Sequence, residues 1–132
     1  MIAKILRPAL ALGAAIDGFV GVVSMFFPAA TGPLFDIPNH DPVFAFLGGG
    51  ELIVMTFVYV AILCNLTRFR PLLWVVALDQ LFAALLPAIE ILRGQLPATI
   101  KIVGPMPLSL ALAVIFIVAA RAPDTQGQIS QV

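Results

Sequence analysis

Two apolar runs joined by a basic turn limit what this chain can fold into. They cover residues 43–65 and 72–92, and the turn reads Thr67-Arg68-Phe69-Arg70-Pro71. Each run is about as long as a helix needs to be to cross a ~30 Å hydrocarbon layer. Each also carries one early carboxylate, Glu51 in the first and Asp79 in the second. Charge in such a segment costs ~2.5–3.5 kcal/mol on insertion scales. That cost makes the two acids the first candidates for function.

The rest of the chain agrees with a bilayer as solvent. Of its 132 residues, 61% are hydrophobic and 11% charged, against ~45–50% and ~25% in soluble domains. A soluble core of this size could not hide so much apolar surface. Net charge is zero, which argues against nucleic acid and against a polybasic lipid-binding patch. The single cysteine, Cys64, excludes an internal disulfide and reads as apolar filler near a helix end.

Taken in order, the chain gives four spans, at about 5–27, 43–65, 72–92 and 102–120. Lys4 and Arg7 ahead of the first run resemble the start of a signal peptide. The run leads instead into Phe26-Phe27-Pro28 and reads as a retained helix. Gly13, Asp17, Gly21 and Ser24 recur on one side of it. Small residues spaced this way let a second helix approach closely, so Asp17 is expected to face a partner helix.

Residues 28–42 hold Pro28, Gly32, Pro33, Pro38 and Pro42 and read as a loop without regular helix. His40 and its neighbouring acids there form no recognised metal spacing, so no metal and no cofactor is expected. In the second span Gly48, Glu51, Met55, Val58 and Ile62 share a face. Gly48 and Gly49 are expected at a helix contact or beside a ligand near Glu51. In the third span Asp79 and Glu90 lie on one stripe with Ala83. Pro87 should free the Ala83 carbonyl on that stripe, and Glu90 is placed to pair with Arg93. Pro105 and Pro107 should bend or delay the fourth span. Residues 122–132 read as a disordered polar tail.

Five of the seven basic residues (Lys4, Arg7, Arg68, Arg70 and Arg121) fall at one end of the spans. The positive-inside rule then puts both termini in the cytoplasm. At 1.5 Å per residue, Asp17, Glu51 and Asp79 would share a central slab ~6 Å thick in the ~30 Å core. The slab has no Lys, Arg or His. Burial and mutual repulsion both disfavour charge there, so at least two of the three are expected to carry a proton. They could bond to each other, to Gln80 or to the carbonyl freed by Pro87.

Several motifs carry a resemblance. They are Phe26-Phe27-Pro28 closing the first helix, Gly32-Pro33-Leu34-Phe35 after it, and Phe46-Leu47-Gly48-Gly49-Gly50 opening the second. The Arg-Phe-Arg-Pro turn and Arg93-Gly94 complete the layout. It resembles the DoxX-like group of small bacterial four-helix membrane proteins. The resemblance implies a bundle in the bacterial inner membrane. Some members of that group are linked to redox or thiol-stress membrane complexes, which suits an accessory role.

The expected fold is therefore an all-α integral membrane four-helix bundle in residues 1–121. Four roles suit its acids Asp17, Glu51 and Asp79 with Gln80. They could act as structural glue between helices, with Gly13, Gly21, Gly48, Gly49 and Pro87 shaping the packing. They could floor a pocket for a quinone, lipid or hydrophobic metabolite, lined by aromatics such as Phe44, Phe46, Phe57, Tyr59, Trp74 and Phe82. Proton-coupled export by a homodimer is the third role. Small multidrug exporters also have four helices, but their key acid is a first-helix glutamate, of which Asp17 is a partial analogue. Acid/base catalysis, as in an isomerase or cyclase, is the fourth. A lipophile-binding accessory protein, alone, as a homodimer or as a complex subunit, is the leading expectation. Enzyme activity is secondary, and nucleic acid is not an expected partner.

Overall fold

A computed structural model describes residues 2–38 and 41–122. The expectations for His40 and for a disordered tail beyond Ala122 fall outside these residues. Every regular element described is helical. They are α1 (Ile2–Phe26), α2 (Pro28–Phe35), α3 (Pro42–Cys64), a 3₁₀ turn (Arg70–Leu72), α4 (Leu73–Leu92), α5 (Ile100–Val103) and α6 (Met106–Arg121). Four segments are long and apolar enough to cross a membrane: Lys4–Phe26, Pro42–Cys64, Arg70–Leu92 and Ile100–Arg121. A multi-pass membrane bundle is the architecture they suit.

Local chemistry sets the helix ends. Asp41 caps α3 by accepting a 2.8 Å hydrogen bond from the Val43 N–H. Pro42 follows in the first turn, where its missing N–H costs nothing. Gly94 closes α4 at φ 72°, a backbone angle that suits glycine. The fourth span is broken, as its prolines predict: α5 ends at Gly104, and α6 starts beyond Pro105.

The segment 28–42 departs from the expected loop. Pro28–Phe35 is helical. Pro28 stands at the start of α2, the one place where proline favours a helix. The buried pair Thr31–Gly32 then docks α2 onto α1 and α3. Counting prolines without their positions hid this helix. It ends at Asp36, whose φ of 57° is left-handed and whose N–H reaches the Gly32 carbonyl.

The four long helices form a ring in the order α3, α1, α6, α4. The α1–α3 and α4–α6 contacts are extensive, α1–α6 is smaller, and the α3–α4 seam is sparse despite the short connection. Glycine explains the closeness of the first pair. A Cβ on Gly49 would stand 2.6 Å from the Met25 nitrogen and 2.8 Å from the Gly21 carbonyl oxygen. One on Gly21 would meet the Gly49 oxygen at 3.0 Å. Here α1 and α3 touch backbone to backbone.

The apolar core is one-sided. Its members are Leu6, Ala9 and Leu10 of α1, Tyr59 and Ile62 of α3, Leu73, Val76 and Ala77 of α4, and Leu112, Phe116 and Ala119 of α6. All lie towards the end of the bundle that carries the Arg68–Arg70 turn. At the other end Gly48, Glu51, Ala83 and Leu86 are exposed along the α3–α4 seam. An ion pair ties that end together: Lys101 Nζ lies 2.9 Å from Asp36 Oδ1, joining α5 to the end of α2. The Lys101 hydrogen bond holds the Asp36 carboxyl below the usual carboxylate range. Glu90 pairs with Arg93 at 3.1 Å, exposed, as the i,i+3 spacing predicts.

Candidate functional site

The polar residues of the spans converge where the apolar core ends. Tyr59 is the hub. Its side chain is fully buried, its ring lies against Gly13 of α1, and its centroid is 5.9 Å from the Phe116 ring of α6. The fit depends on glycine, since a Cβ at Gly13 would meet the Tyr59 ring at 2.7 Å. The small-residue face of α1 thus holds an aromatic ring at Gly13 and a backbone at Gly21.

Around the Tyr59 hydroxyl the hydrogen bonds run in one direction. Gln80 Nε2 donates to it at 2.9 Å. The hydroxyl donates to Asp79 Oδ2 at 3.3 Å, and Gln80 Nε2 also reaches that oxygen at 3.4 Å. Asp17, 5% exposed, faces the Asp79 carboxyl from α1. Its Oδ2 is buried with no hydrogen-bond partner among the described residues. Two carboxyl groups in contact attract only when a proton lies between them. The site therefore offers a fixed donor chain, Gln80 to Tyr59 to Asp79, with the buried Asp17 carboxyl set against its last member.

Three candidates from the sequence (Asp17, Asp79 and Gln80) are brought together, as are Gly13, Gly21 and Gly49 in the packing around them. Glu51 is not part of the contact cluster. It is exposed, about 12 Å along α3 from Tyr59 at 1.5 Å per residue. The three acids form no group that could hold a metal, nor do any others among the described residues. Gly48 makes no close packing: a Cβ there would meet nothing within 4 Å. The reason is a rotation of the contact face. Gly49, Ile53, Thr56 and Tyr59 turn towards α1, leaving the Gly48–Glu51 stripe to the seam. Pro87 lies within an unbroken α4, and Ala83, whose carbonyl it deprives of a helical donor, is exposed on the same seam.

Tyr59 is the residue that sequence reasoning passed over, as one aromatic among many. Two signals were available. It is the only tyrosine in the chain, so the only aromatic hydroxyl in the spans. It also stands about as far from the Arg68–Arg70 turn along α3 as Asp79 does along α4, which places the two side by side.

The chain matches no family model, no curated protein and no solved structure.

Proposed function

We propose that this is a multi-pass protein of the bacterial inner membrane, with both termini cytoplasmic, that binds a lipophilic molecule with a polar head. A quinone, a lipid or a hydrophobic metabolite fits that description. The observation that carries the reading is the buried polar cluster that Asp17, Asp79, Tyr59 and Gln80 bring together from three apolar helices. A hydroxyl or carbonyl on a ligand's polar head could bond to these groups where the apolar core ends. The sparse outer α3–α4 seam supports a lateral route from the bilayer, with Glu51 beside it. The DoxX-like layout supports the location and an accessory role, alone or within a membrane complex, without indicating a reaction.

Mass spectrometry of lipophiles copurified with the intact protein tests the proposal. A near-stoichiometric compound is expected, retained by Glu90→Gln and lost from Asp79→Asn and Gln80→Ala. If no compound is enriched over bulk lipid, or if all variants retain it equally, the reading fails. Proton-coupled export by a homodimer is the second reading, favoured by the contact of two carboxyls from different helices. Its signature is pH-dependent efflux lost in Asp17→Asn, with no bound lipophile.

A further inference from the structure

Among the described residues the order long helix, short helix, long helix occurs twice. It is α1, α2, α3 in the first half of the chain and α4, α5, α6 in the second. Within each half the two long helices pack extensively on each other. The short helix sits in the connection between them. The halves meet less fully: α1 touches α6, and α3 faces α4 across the sparse seam. The Tyr59 bonds to Gln80 and Asp79 cross from α3 to α4 where the apolar core ends. Past that level the seam exposes Gly48, Glu51, Ala83 and Leu86.

A charged contact joins the halves at this same end. Asp36 closes α2, its backbone held at φ 57° with its N–H on the Gly32 carbonyl. Its Oδ1 lies 2.9 Å from Lys101 Nζ of α5. Each partner is carried by its own half, because α2 is docked on α1 and α3, and α5 contacts α4 and α6. The pair thus bridges the two connections without filling the seam, and its partly exposed side chains leave it open to competition from water and salt.

We infer that the Asp36–Lys101 pair is a latch between the two halves. Intact, it keeps the ends of α3 and α4 together. Broken, it lets them part along the seam, while the Tyr59 bonds, the α1–α6 contact and the Arg68–Arg70 turn hold the remainder in place. The inference concerns this motion alone and does not depend on a ligand at the carboxyl site.

Spin-label distances in the full chain, in lipid nanodiscs, test it. One label pair replaces Leu47 and Leu86, both exposed, in a Cys64→Ser background. A reference pair at the turn end uses the exposed Cys64 with Val75→Cys. Lys101→Gln and Asp36→Asn should each raise the ratio of long to short Leu47–Leu86 distances by up to about fivefold, the range of an exposed ion pair. Asparagine tolerates the left-handed backbone at position 36, so the second variant removes the charge without straining the turn. The double variant should move the distribution no further than either single one. Glu90→Gln breaks an ion pair internal to one half and should match the parent. The reference distances should stay fixed throughout. Unchanged Leu47–Leu86 distances in both single variants overturn the inference. So do additive shifts in the double variant, or reference distances that change as much.

Discussion

Three consecutive glycines, Gly48, Gly49 and Gly50, should respond to the same substitution in opposite ways. A Cβ on Gly49 would lie 2.6 Å from the Met25 nitrogen, 2.8 Å from the Gly21 oxygen and 2.9 Å from the Ser24 carbonyl carbon. These are backbone atoms, so no rotamer change relieves the clash. Ordinary contact begins at 3.4 Å, so α1 and α3 must separate by about 0.8 Å at this crossing. A gap of ~0.5–1 Å forfeits a quarter to a half of a dispersion well. In a bilayer, dispersion is a main force holding helices together. Overpacking of this kind costs ~1–3 kcal/mol, and the gain in helix propensity returns at most ~1 kcal/mol. Gly49→Ala should therefore lose ~1–2 kcal/mol. Gly48→Ala and Gly50→Ala meet nothing within 4 Å and should be neutral or stabilised by up to ~1 kcal/mol. Reversible unfolding in mixed micelles, followed by helical circular dichroism, gives all three values. Equal stability of Gly49→Ala and Gly48→Ala would refute the backbone-to-backbone account of the α1–α3 contact.

Two further outcomes follow from the polar contacts. Tyr59→Phe leaves the Gln80 amide short of an acceptor in a buried site and should cost ~1–3 kcal/mol; adding Gln80→Leu should recover part of it in a double-mutant cycle, and strict additivity would show that the bond contributes nothing. The Asp36–Lys101 pair should make stability depend on acid pH, because its Asp36 pKa is lower folded than unfolded. Its contribution is complete above the unfolded carboxylate pKa of about 4 and fades as pH falls through the folded value. Thermal midpoints of the parent and Asp36→Asn should thus differ at pH 7 and converge in acid; a gap that widens in acid has the wrong sign.

The four spans were legible because length and apolarity alone fix a membrane helix. The second was expected at 43–65 and is found at Pro42–Cys64; the third was expected at 72–92 and is found at Leu73–Leu92. Spacing on α1 groups Gly13, Asp17 and Gly21 on one face, and the structure sets Gly13 against the Tyr59 ring and Gly21 against Gly49. What it could not supply was the rotation of α3. In a helix that is apolar all round, periodicity no longer distinguishes the protein-facing side from the lipid-facing one. Gly48 and Glu51 were therefore grouped on one contact face, whereas Gly49 and Tyr59 hold that place. Depth counted from helix ends failed for Glu51 for a related reason: the helices begin at different heights, and only contacts such as Gly21 on Gly49 fix their relative register.

The one-sided core divides the molecule into two zones of unequal stability. Around Leu10, Ile62, Val76 and Phe116 four helices interlock, and separating them means unfolding. Beyond Tyr59 the α1–α3 pair meets α4 along a sparse seam, and a solvated ion pair links the end of α2 to α5. Fewer contacts have to be broken to part such a junction than to separate the interlocked end. The protein is thus built like tweezers, with a rigid base and compliant tips, and its carboxyl pair sits where the arms begin to diverge.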